Sequence, residues 1–360
     1  MYSKPNSTIE IQGKKIGENF PTYFIADIAA NHDGDLQRAK DLIWLAAEAG
    51  ADAAKFQHFQ AKTIVSDYGF RSLGGQQSHQ ASWKKSVFDV YQDASVNLDW
   101  TSELRETCDR AGIPFFTTPY ALDVVDFMDP HVPAYKIGSG DITWLEMIEK
   151  VASKQKPYII ASGASTADEV DRAVVAGLRL NPNLGLMQCN TNYTASLENF
   201  KFIQLNVLKS YRCMYPDIVL GLSDHTPGHA TVLGAVALGA RMIEKHFTDD
   251  TARVGPDHKF SMDPRSWREM VDRTRELELA LGAGVKRVEA NELETVVLQR
   301  RALRATSSMP KGHVISTADF IPLRPCPADA IQPFDLKNIV GRVLRRDMAE
   351  GDYVRQSDIE

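Results

Sequence analysis

Residues 23–59 read "YFIADIAANHDGDLQRAKDLIWLAAEAGADAAKFQHF", and this stretch decides the fold. It begins and ends with short, nearly continuous apolar runs, which are typical of strands buried on both faces. Between the runs, Asp35 can cap a helix whose apolar side chains recur at helical spacing, and Gly50 can end it. The stretch therefore predicts a strand, a helix and a second strand, which together form one unit of a parallel sheet.

The same alternation continues along the chain to about residue 282. The eight strand candidates are "YFIADIA" (23–29), "DAAKFQHF" (52–59), "PFFTTP" (114–119), "AYKIGS" (134–139), "YIIASG" (158–163), "LGLMQC" (184–189), "IVLGLSD" (218–224) and "RMIEKHF" (241–247). Eight repeats of strand and helix predict an α/β fold, a (β/α)8 TIM barrel. A doubly wound open sheet is the alternative.

Two segments depart from this alternation. Residues 60–98 form a long insertion after the second strand, and an insertion of that length in a compact domain is usually functional or lid-like. Beyond residue 282 the alternation of strands and helices ends, and the later sequence consists of short segments punctuated by Pro and Gly. We interpret 1–282 as a catalytic barrel with an N-terminal extension, 283–300 as a linker, and 301–360 as a small β-rich domain. Because so short a domain has a thin core, we expect it to pack on another surface, such as that of a second subunit.

Composition narrows the class of protein. The net charge of −6 argues against a nucleic-acid partner, and no apolar run approaches the length of a membrane span. The four cysteines are widely scattered without a C-x-x-C pair, and the N-terminal residues lack the apolar core of a signal peptide. We therefore expect a cytoplasmic protein.

The active site of a TIM barrel lies at the carboxyl ends of its strands, so the polar residues there are the candidates. They are Asp27, Lys55, Gln57, Thr118, Lys136, Ser139, Ser162, Ser223, Asp224, His225, Glu244, Lys245 and His246. Lysines and hydroxyl groups beside a Gly-Ser-Gly turn suit a phosphate or carboxylate, and two histidines on adjacent strands suit a divalent metal. Each feature alone also has a purely structural interpretation: a hydrogen-bonded histidine, a solvated lysine or an ordinary turn. No Rossmann or Walker glycine pattern occurs.

Six motifs in order carry a resemblance to a known family. They are "FIADIAANHDGDLQRAKDLIWLAAEAGADAAKFQHF", "TTPY", "YKIGSGD", "GLSDHT", "EKHFT" and "GPDHKFSMDP". The chain resembles the sialic acid synthase family from about residue 20 to its end, and its tail resembles the antifreeze-like (SAF) domain that follows the barrel in these enzymes.

The resemblance implies a reaction and a set of roles. It implies a transferase that condenses phosphoenolpyruvate with an N-acylhexosamine to give a nonulosonic acid, consuming water and releasing phosphate by C–O cleavage. It also implies a domain-swapped homodimer whose SAF domain caps the partner's active site, and a divalent metal, Mn²⁺ foremost, with Mg²⁺ or Co²⁺ as alternatives. The implied catalytic residues are Asp27, Lys55, His225 and His246, with both histidines as metal ligands. The implied phosphoenolpyruvate-binding residues are Lys55, Thr118, Lys136, Ser139, Ser162 and Ser223, and the implied sugar-binding residues are Gln57, Tyr193, Asp257 and Arg324.

Departures from the family pattern leave the acceptor sugar open. Asp27 stands where the family usually has Glu, the sixth-strand motif reads "CNTNYTAS", and the tail reads "RPCP" instead of "RPG". These differences fall where the sugar binds, so the candidates are N-acetylmannosamine and diacetamido-trideoxy hexoses. The rival functions are a related phosphoenolpyruvate-dependent synthase acting on a sugar phosphate, a metal-dependent aldolase or hydrolase, and a non-catalytic sugar-binding barrel.

Overall fold

Eight parallel strands close into a barrel in the computed structural model, which describes residues 3–74, 80 and 83–360. In chain order these strands are β3 (Tyr23–Asp27), β4 (Ala53–His58), β5 (Phe115–Pro119), β6 (Tyr135–Ile137), β7 (Tyr158–Ala161), β8 (Leu184–Cys189), β9 (Val219–Asp224) and β10 (Met242–His246). Each strand pairs with its chain neighbours, and β10 pairs with β3 to complete the ring. The predicted TIM barrel is thus confirmed, and the open doubly wound sheet is excluded.

Helices follow the strands, and those outside the 60–98 insertion cover the outside of the barrel. They are α1 (Leu36–Glu48), α2 (Ala61–Ile64), α3 (Asp67–Ser72), α4 (Val87–Ala94), α5 (Thr101–Ala111), α6 (Leu122–Met128), α7 (Leu145–Ser153), α8 (Ala167–Leu178), α9 (Val207–Met214), α10 (Ala230–Ala237) and α11 (Pro264–Leu281). Asp35 caps α1, as predicted, by accepting a hydrogen bond from the Arg38 backbone N–H. The helices α2, α3 and α4 lie in the 60–98 insertion, whose residues 75–79, 81 and 82 are outside the described part of the chain.

Two layers of apolar side chains position the strand ends. One layer packs between the strands and the helices, with Phe24, Phe56 and Trp267 among its buried members. The other fills the amino end of the barrel bore, where Ile25 and Phe116 lie buried together. Because the bore is packed at that end, polar side chains are accommodated at the opposite, carboxyl end.

A hairpin precedes the barrel. It consists of β1 (Thr8–Ile11) and β2 (Lys14–Gly17), which pair antiparallel. Its side chains Ile9, Ile11 and Ile16 are buried in the same cluster as the amino-end residues of the bore. The hairpin therefore closes the amino end of the barrel with hydrocarbon.

The chain divides into two compact units, Met1–Gly282 and Ala283–Glu360. The second unit contains α12 (Leu293–Gln299), α13 (Leu336–Ile339) and a two-stranded sheet of β11 (Ala302–Ala305) and β12 (Phe320–Leu323). Its core is a separate cluster that includes Leu303, Phe320 and Val354. In the described part of the chain, no helix combines the length and the apolar character that crossing a bilayer requires.

Candidate active site

A cavity of about 380 Å³ opens at the carboxyl ends of the barrel strands. Most of the predicted site residues line it, although they are widely separated in the sequence. These residues are Asp27, Lys55, Gln57, Thr118, Lys136, Ser139, Tyr193, Ser223, His225, His246 and Asp257. The strand-end argument therefore located a real convergence of polar side chains.

Two buried lysines lie on the cavity wall, and each has an acidic partner. The Lys55 Nζ lies 2.7 Å from Asp27 Oδ2 and 3.1 Å from Thr118 Oγ1. The Lys136 Nζ lies 2.9 Å from Glu244 Oε1. Burial lowers the pKa of Lys55, but the neighbouring carboxylates of Asp27 and Glu244 outweigh burial, so its pKa is raised. Lys55 is therefore held as a cation inside the barrel.

The carboxyl group of Asp27 stays ionised for the complementary reason. Burial raises the pKa of Asp27. The charges of Lys55 and His246 and the hydrogen bonds from Lys55 and Gln57 lower it by more, so the pKa is lowered overall. One carboxylate thus holds an amide and an ammonium group in fixed positions at the ends of β3 and β4. The Asp27 side chain makes both contacts directly.

The two imidazoles identified in the sequence face each other across the cavity. The ring centroids of His225 and His246 are 5.4 Å apart, with the planes inclined by 53°. The Nδ1 of His225 lies 3.0 Å from the Asn190 carbonyl oxygen. Since a carbonyl can only accept, Nδ1 carries the proton and Nε2 presents its lone pair. Burial, with the neighbouring His246, lowers the pKa of His225 to about 3, so the ring is neutral at physiological pH.

His246 lies between two carboxylates. Its Nε2 is 3.6 Å from Asp27 Oδ2, and its Nδ1 is 3.7 Å from Asp257 Oδ2. The buried Nδ1 has no hydrogen-bonding partner in the described part of the chain. Buried ring nitrogens without a partner are costly, so this atom is suited to receive one from a ligand.

The residues beside the two histidines lie on different faces of the strands and have different partners. Ser223 and Glu244 line the cavity with the imidazoles, whereas Asp224 and Lys245 belong to a buried pair joined at 2.5 Å. The Asp224 carboxylate also accepts hydrogen bonds from the hydroxyl groups of Thr226 and Thr231. This pair ties β9, β10 and α10 together directly beside the two imidazoles.

Two predicted site residues are placed elsewhere. The Ser162 hydroxyl donates to the Met187 carbonyl at 3.0 Å and accepts from the Tyr211 hydroxyl at 2.8 Å, so it turns away from the cavity. Arg324 lies in the second unit, where its Nε donates to the Gln299 carbonyl at 2.7 Å. Its predicted contact with the acyl end of the substrate stays a prediction.

The structure places a further carboxyl group in the site, to which the sequence assigned no role. Asp141, the last residue of "GSGD", lines the cavity, and burial raises its pKa to about 6. Its Oδ2 is buried without a hydrogen-bonding partner among the described residues. The quoted motif was the available signal, but nothing local in it indicated that the carboxyl group would be buried.

The sequence of the barrel matches a known family. A model of the NeuB family matches residues 42–286, and a model of the SAF domain matches residues 300–360. The chain belongs to the NeuB family. The resemblance drawn from the six motifs and from the tail is thereby confirmed.

Several curated relatives cover nearly the whole of this NeuB-family chain. N,N'-diacetyllegionaminic acid synthase of Legionella pneumophila is 34% identical over 96% of this chain and 97% of its own length. Pseudaminic acid synthase of Campylobacter jejuni is 32% identical over 94% and 96%. Human N-acetylneuraminate-9-phosphate synthase is 30% identical over 97% and 95%. The relatives differ in their named products while their identities to this chain are similar, so identity alone does not select a sugar.

Solved structures agree with the fold. The N-acetylneuraminic acid synthetase of Leptospira borgpetersenii superposes with a TM-score of 0.69 at 28% identity, covering 81% of this chain and 96% of that one. A spore coat polysaccharide biosynthesis protein of Bacillus subtilis gives 0.64 at 28% identity and covers 98% and 99%. Within the family, the chain is thus similar to enzymes that are named as makers of sialic-type sugar acids.

Proposed function

We propose that the protein is a nonulosonic acid synthase, which condenses phosphoenolpyruvate with an N-acylhexosamine and releases phosphate. The observation that carries the proposal is the single cavity that holds Lys55, Lys136, His225 and His246 together at the strand ends. The two lysines supply positive charge, and the two histidines supply imidazole nitrogens that can bind a metal. Both kinds of group can therefore act on two substrates bound side by side in this cavity. The names of the curated relatives support the same class of reaction.

The phosphoenolpyruvate site follows from the buried lysines. A substrate with a phosphate and a carboxylate needs charge-assisted hydrogen bonds, which Lys55 and Lys136 supply together with the hydroxyl groups of Thr118, Ser139 and Ser223. Both lysines are already paired with carboxylates. We propose that the anion shares the two lysines with these carboxylates or displaces the carboxylates from them.

In the proposed reaction, one C–C bond forms, one C–O bond forms from water, and the C–O bond to phosphate breaks. C3 of phosphoenolpyruvate attacks the aldehyde carbon of the open-chain sugar, which forms the new C–C bond and turns the carbonyl oxygen into a hydroxyl. Water adds to the cation left at C2, and the resulting tetrahedral intermediate loses phosphate with cleavage of its C–O bond. Gln57, Tyr193 and Asp257 line the cavity where the hydroxyl groups of the sugar would be held.

Proton transfer requires a group whose pKa is near the working pH. Asp141 fits this requirement because burial raises its pKa to about 6 and its Oδ2 has no partner among the described residues. It can give a proton to the aldehyde oxygen or take one from the attacking water. Tyr120 and Tyr193 have pKa values raised far above the ordinary one, chiefly by burial, so they serve as neutral hydrogen-bond groups.

The charges of the cavity favour a divalent cation at the two imidazoles. Among the described lining residues, four carboxyl groups (Asp27, Asp141, Glu244 and Asp257) face two ammonium groups. When a phosphate and a carboxylate bind to these lysines as well, negative charge exceeds positive charge in the cavity, and a divalent cation offsets the difference. The described residues contain no cluster of three or more His, Cys, Asp or Glu that could hold a metal. We propose that His225 and His246 would hold Mn²⁺, or Mg²⁺ or Co²⁺, because the Nε2 lone pair of His225 and the His246 Nδ1, which lacks a partner among the described residues, are available donors. A bound divalent ion would polarise the sugar aldehyde.

One assay tests the proposed function. The protein is incubated with phosphoenolpyruvate, Mn²⁺ and a panel of N-acylhexosamines and sugar phosphates, and both phosphate release and product mass are measured. We expect phosphate release that depends on an unphosphorylated N-acyl sugar and a product that contains both carbon skeletons. Turnover only with sugar phosphates would favour the rival synthase, turnover without phosphoenolpyruvate would favour an aldolase, and no turnover across the panel would favour a binding protein.

A matched pair of lysine variants sharpens the test. Lys136→Met removes one of the two buried ammonium groups of the cavity, whereas Lys14→Met removes a half-exposed one that pairs with Asp52 outside it. We expect kcat/KM for phosphoenolpyruvate to fall by about 100-fold or more in the first variant and to stay unchanged in the second. Equal activities in both variants would refute the assigned phosphoenolpyruvate site.

The oligomeric state and the cellular location are further parts of the proposal, and this assay does not test them. We propose a cytoplasmic, domain-swapped homodimer in which the second unit of one protomer reaches the site of its partner. Sedimentation velocity gives the oligomeric state directly, and a monomer with full activity would overturn this part without affecting the proposed reaction.

A further inference from the structure

The loop between β10 and α11 carries two neighbouring polar side chains with different surroundings. Asp257 lines the cavity, and its Oδ2 accepts a hydrogen bond from the Ala30 backbone N–H at 3.1 Å and lies 3.7 Å from His246 Nδ1. The next residue, His258, is fully buried and is not among the residues that line this cavity. The carboxylate therefore faces the site, whereas the adjacent imidazole is enclosed by protein.

Both ring nitrogens of His258 have hydrogen-bonding partners. The Nε2 lies 2.9 Å from Asp33 Oδ1, and since a carboxylate can only accept, Nε2 donates the hydrogen bond. The Nδ1 lies 2.7 Å from the hydroxyl oxygen of Thr248, two residues after the end of β10. The ring is thus held at two points, one in the loop after β3 and one at the start of its own loop.

The Asp33 carboxylate is itself fixed by arginines from both segments. Its Oδ2 accepts from Arg253 Nη2 at 2.9 Å and lies 3.1 Å from Arg38 Nε. Arg38 also donates to the two carboxylate oxygens of Asp249, at 2.7 Å and 2.6 Å. Asp249 and Arg253 follow β10, whereas Asp33 and Arg38 follow β3, so these ion pairs join the two segments. The buried His258 ring is therefore bonded to an acceptor that cannot easily move.

The backbone on either side of Asp257 is also tightly placed. A Cβ at Gly255 would lie 2.6 Å from His258 Cδ2, so a larger residue there would displace the ring. After Asp257, the Ser261 hydroxyl donates to the Asp257 carbonyl at 2.7 Å and accepts from the Asn31 side-chain amide at 2.8 Å. The loop is thus attached to the segment after β3 on both sides of the residue that faces the cavity.

We propose that His258 is a positioning residue, whose hydrogen bond to Asp33 sets the place of the Asp257 carboxylate in the cavity. This inference rests on the proposed function, in which Asp257 holds hydroxyl groups of the sugar. Because Asp257 and His258 share a peptide bond, release of the ring would let the carboxylate shift from its place beside Ala30 and His246. A hydrogen bond to the sugar weakens steeply as its distance and angle depart from the optimum.

The proposed phosphoenolpyruvate site is held in place independently of this loop. Lys55 pairs with Asp27 at 2.7 Å, and Lys136 pairs with Glu244 at 2.9 Å. All four residues lie within the barrel strands β3, β4, β6 and β10. Loss of the His258 hydrogen bonds should therefore raise KM for the sugar and leave KM for phosphoenolpyruvate unchanged. A general loss of structure would instead affect both values.

The first experiment measures both KM values in the full-length protein with Mn²⁺ and whichever N-acylhexosamine supports phosphate release. His258→Phe keeps an aromatic ring but removes both hydrogen bonds, whereas His258→Gln can place an amide N–H near the position of Nε2. We expect KM for the sugar to rise about 10-fold in His258→Phe and to return close to the wild-type value in His258→Gln. The control His313→Phe removes a histidine–aspartate hydrogen bond of 2.8 Å in the second unit and should change neither KM.

A double variant tests whether His258 acts through Asp257. Asp257→Asn should raise KM for the sugar by itself, and addition of His258→Phe should raise it no further, since no carboxylate is left to position. Effects that multiply in the double variant would overturn the inference. Equal increases of both KM values in His258→Phe, or an unchanged KM for the sugar in His258→Phe or Asp257→Asn, would overturn it as well.

Gly255→Ala approaches the same contact from the backbone side and covers the case in which His258→Phe does not fold. Its added methyl group displaces the His258 ring, so we expect the same selective rise in KM for the sugar. Thermal unfolding identifies the variants that fold. An active wild-type protein with the wrong KM pattern overturns this inference alone. A wild-type protein that releases no phosphate with any acceptor overturns the proposed function and this inference together.

Discussion

Breaking the Asp224–Lys245 pair should destabilise the barrel strongly. The side chains are 0% and 1% exposed, and the ammonium group also contacts the Thr226 carbonyl. Lys245→Met leaves a buried carboxylate that retains its threonine donors but has lost its counter-ion. Removing one partner of a buried ion pair costs about 3–5 kcal/mol, because the other charge stays desolvated. We expect a loss of this size in the free energy of unfolding of the barrel.

A double variant distinguishes ionic pairing from simple loss of packing. Asp224→Leu combined with Lys245→Met removes both charges, so no desolvated ion remains. Its main cost is the lost acceptor for the hydroxyl groups of Thr226 and Thr231, at about 1–3 kcal/mol. We therefore expect the double variant to be more stable than Lys245→Met and far more stable than the sum of the two single losses.

Urea denaturation followed by tryptophan fluorescence is the appropriate assay. All five tryptophans lie in the unit Met1–Gly282, so the signal reports the barrel alone. Arg71→Met breaks the exposed Asp67–Arg71 pair as a control and should cost under about 1 kcal/mol. A Lys245→Met cost as small as that of the control, or additive costs in the double variant, would refute the reasoning.

Three further predictions concern pH, proton transfer and the second unit. Burial lowers the pKa of His32 to about 4 and of His58 to about 3, so between about pH 6.5 and pH 4 the unfolded chain binds protons that the folded chain does not. Stability should thus fall by about 2 kcal/mol for each ring by pH 5, and His58→Gln should flatten this slope in urea titrations; an unchanged slope would contradict it. Asp141→Asn should lower kcat by about 100-fold or more and remove a limb near pH 6 from the pH–rate profile, which an intact limb would disprove. Arg324→Ala should raise KM for the sugar and leave KM for phosphoenolpyruvate nearly unaltered, whereas equal increases would sink the assignment.

The barrel and much of its site could be predicted from the sequence because both depend on local patterns. Strands buried on both faces give continuous apolar runs, and the strand ends of a barrel converge by topology. The positions of Lys55, Lys136, His225 and His246 followed from those two facts.

Other features depend on packing that no local pattern records. Ser162 follows β7 directly, yet its hydroxyl hydrogen-bonds with the Met187 carbonyl and the Tyr211 hydroxyl and points away from the cavity. The burial that raises the pKa of Asp141 depends on how the turn after β6 packs, and the contribution of α2 and α4 to the cavity lining depends on how the insertion folds against the barrel. These are contacts between distant segments, and their outcome is decided by tertiary structure.

The hairpin of Ile9, Ile11 and Ile16 has a kinetic consequence. With hydrocarbon closing one end of the bore, the chamber that holds the lysines is closed at the amino ends of the strands. Both substrates of the proposed reaction therefore have to enter and leave at the carboxyl ends of the strands. Product-inhibition patterns should accordingly show an ordered mechanism, because the substrate bound nearer the mouth retains the other.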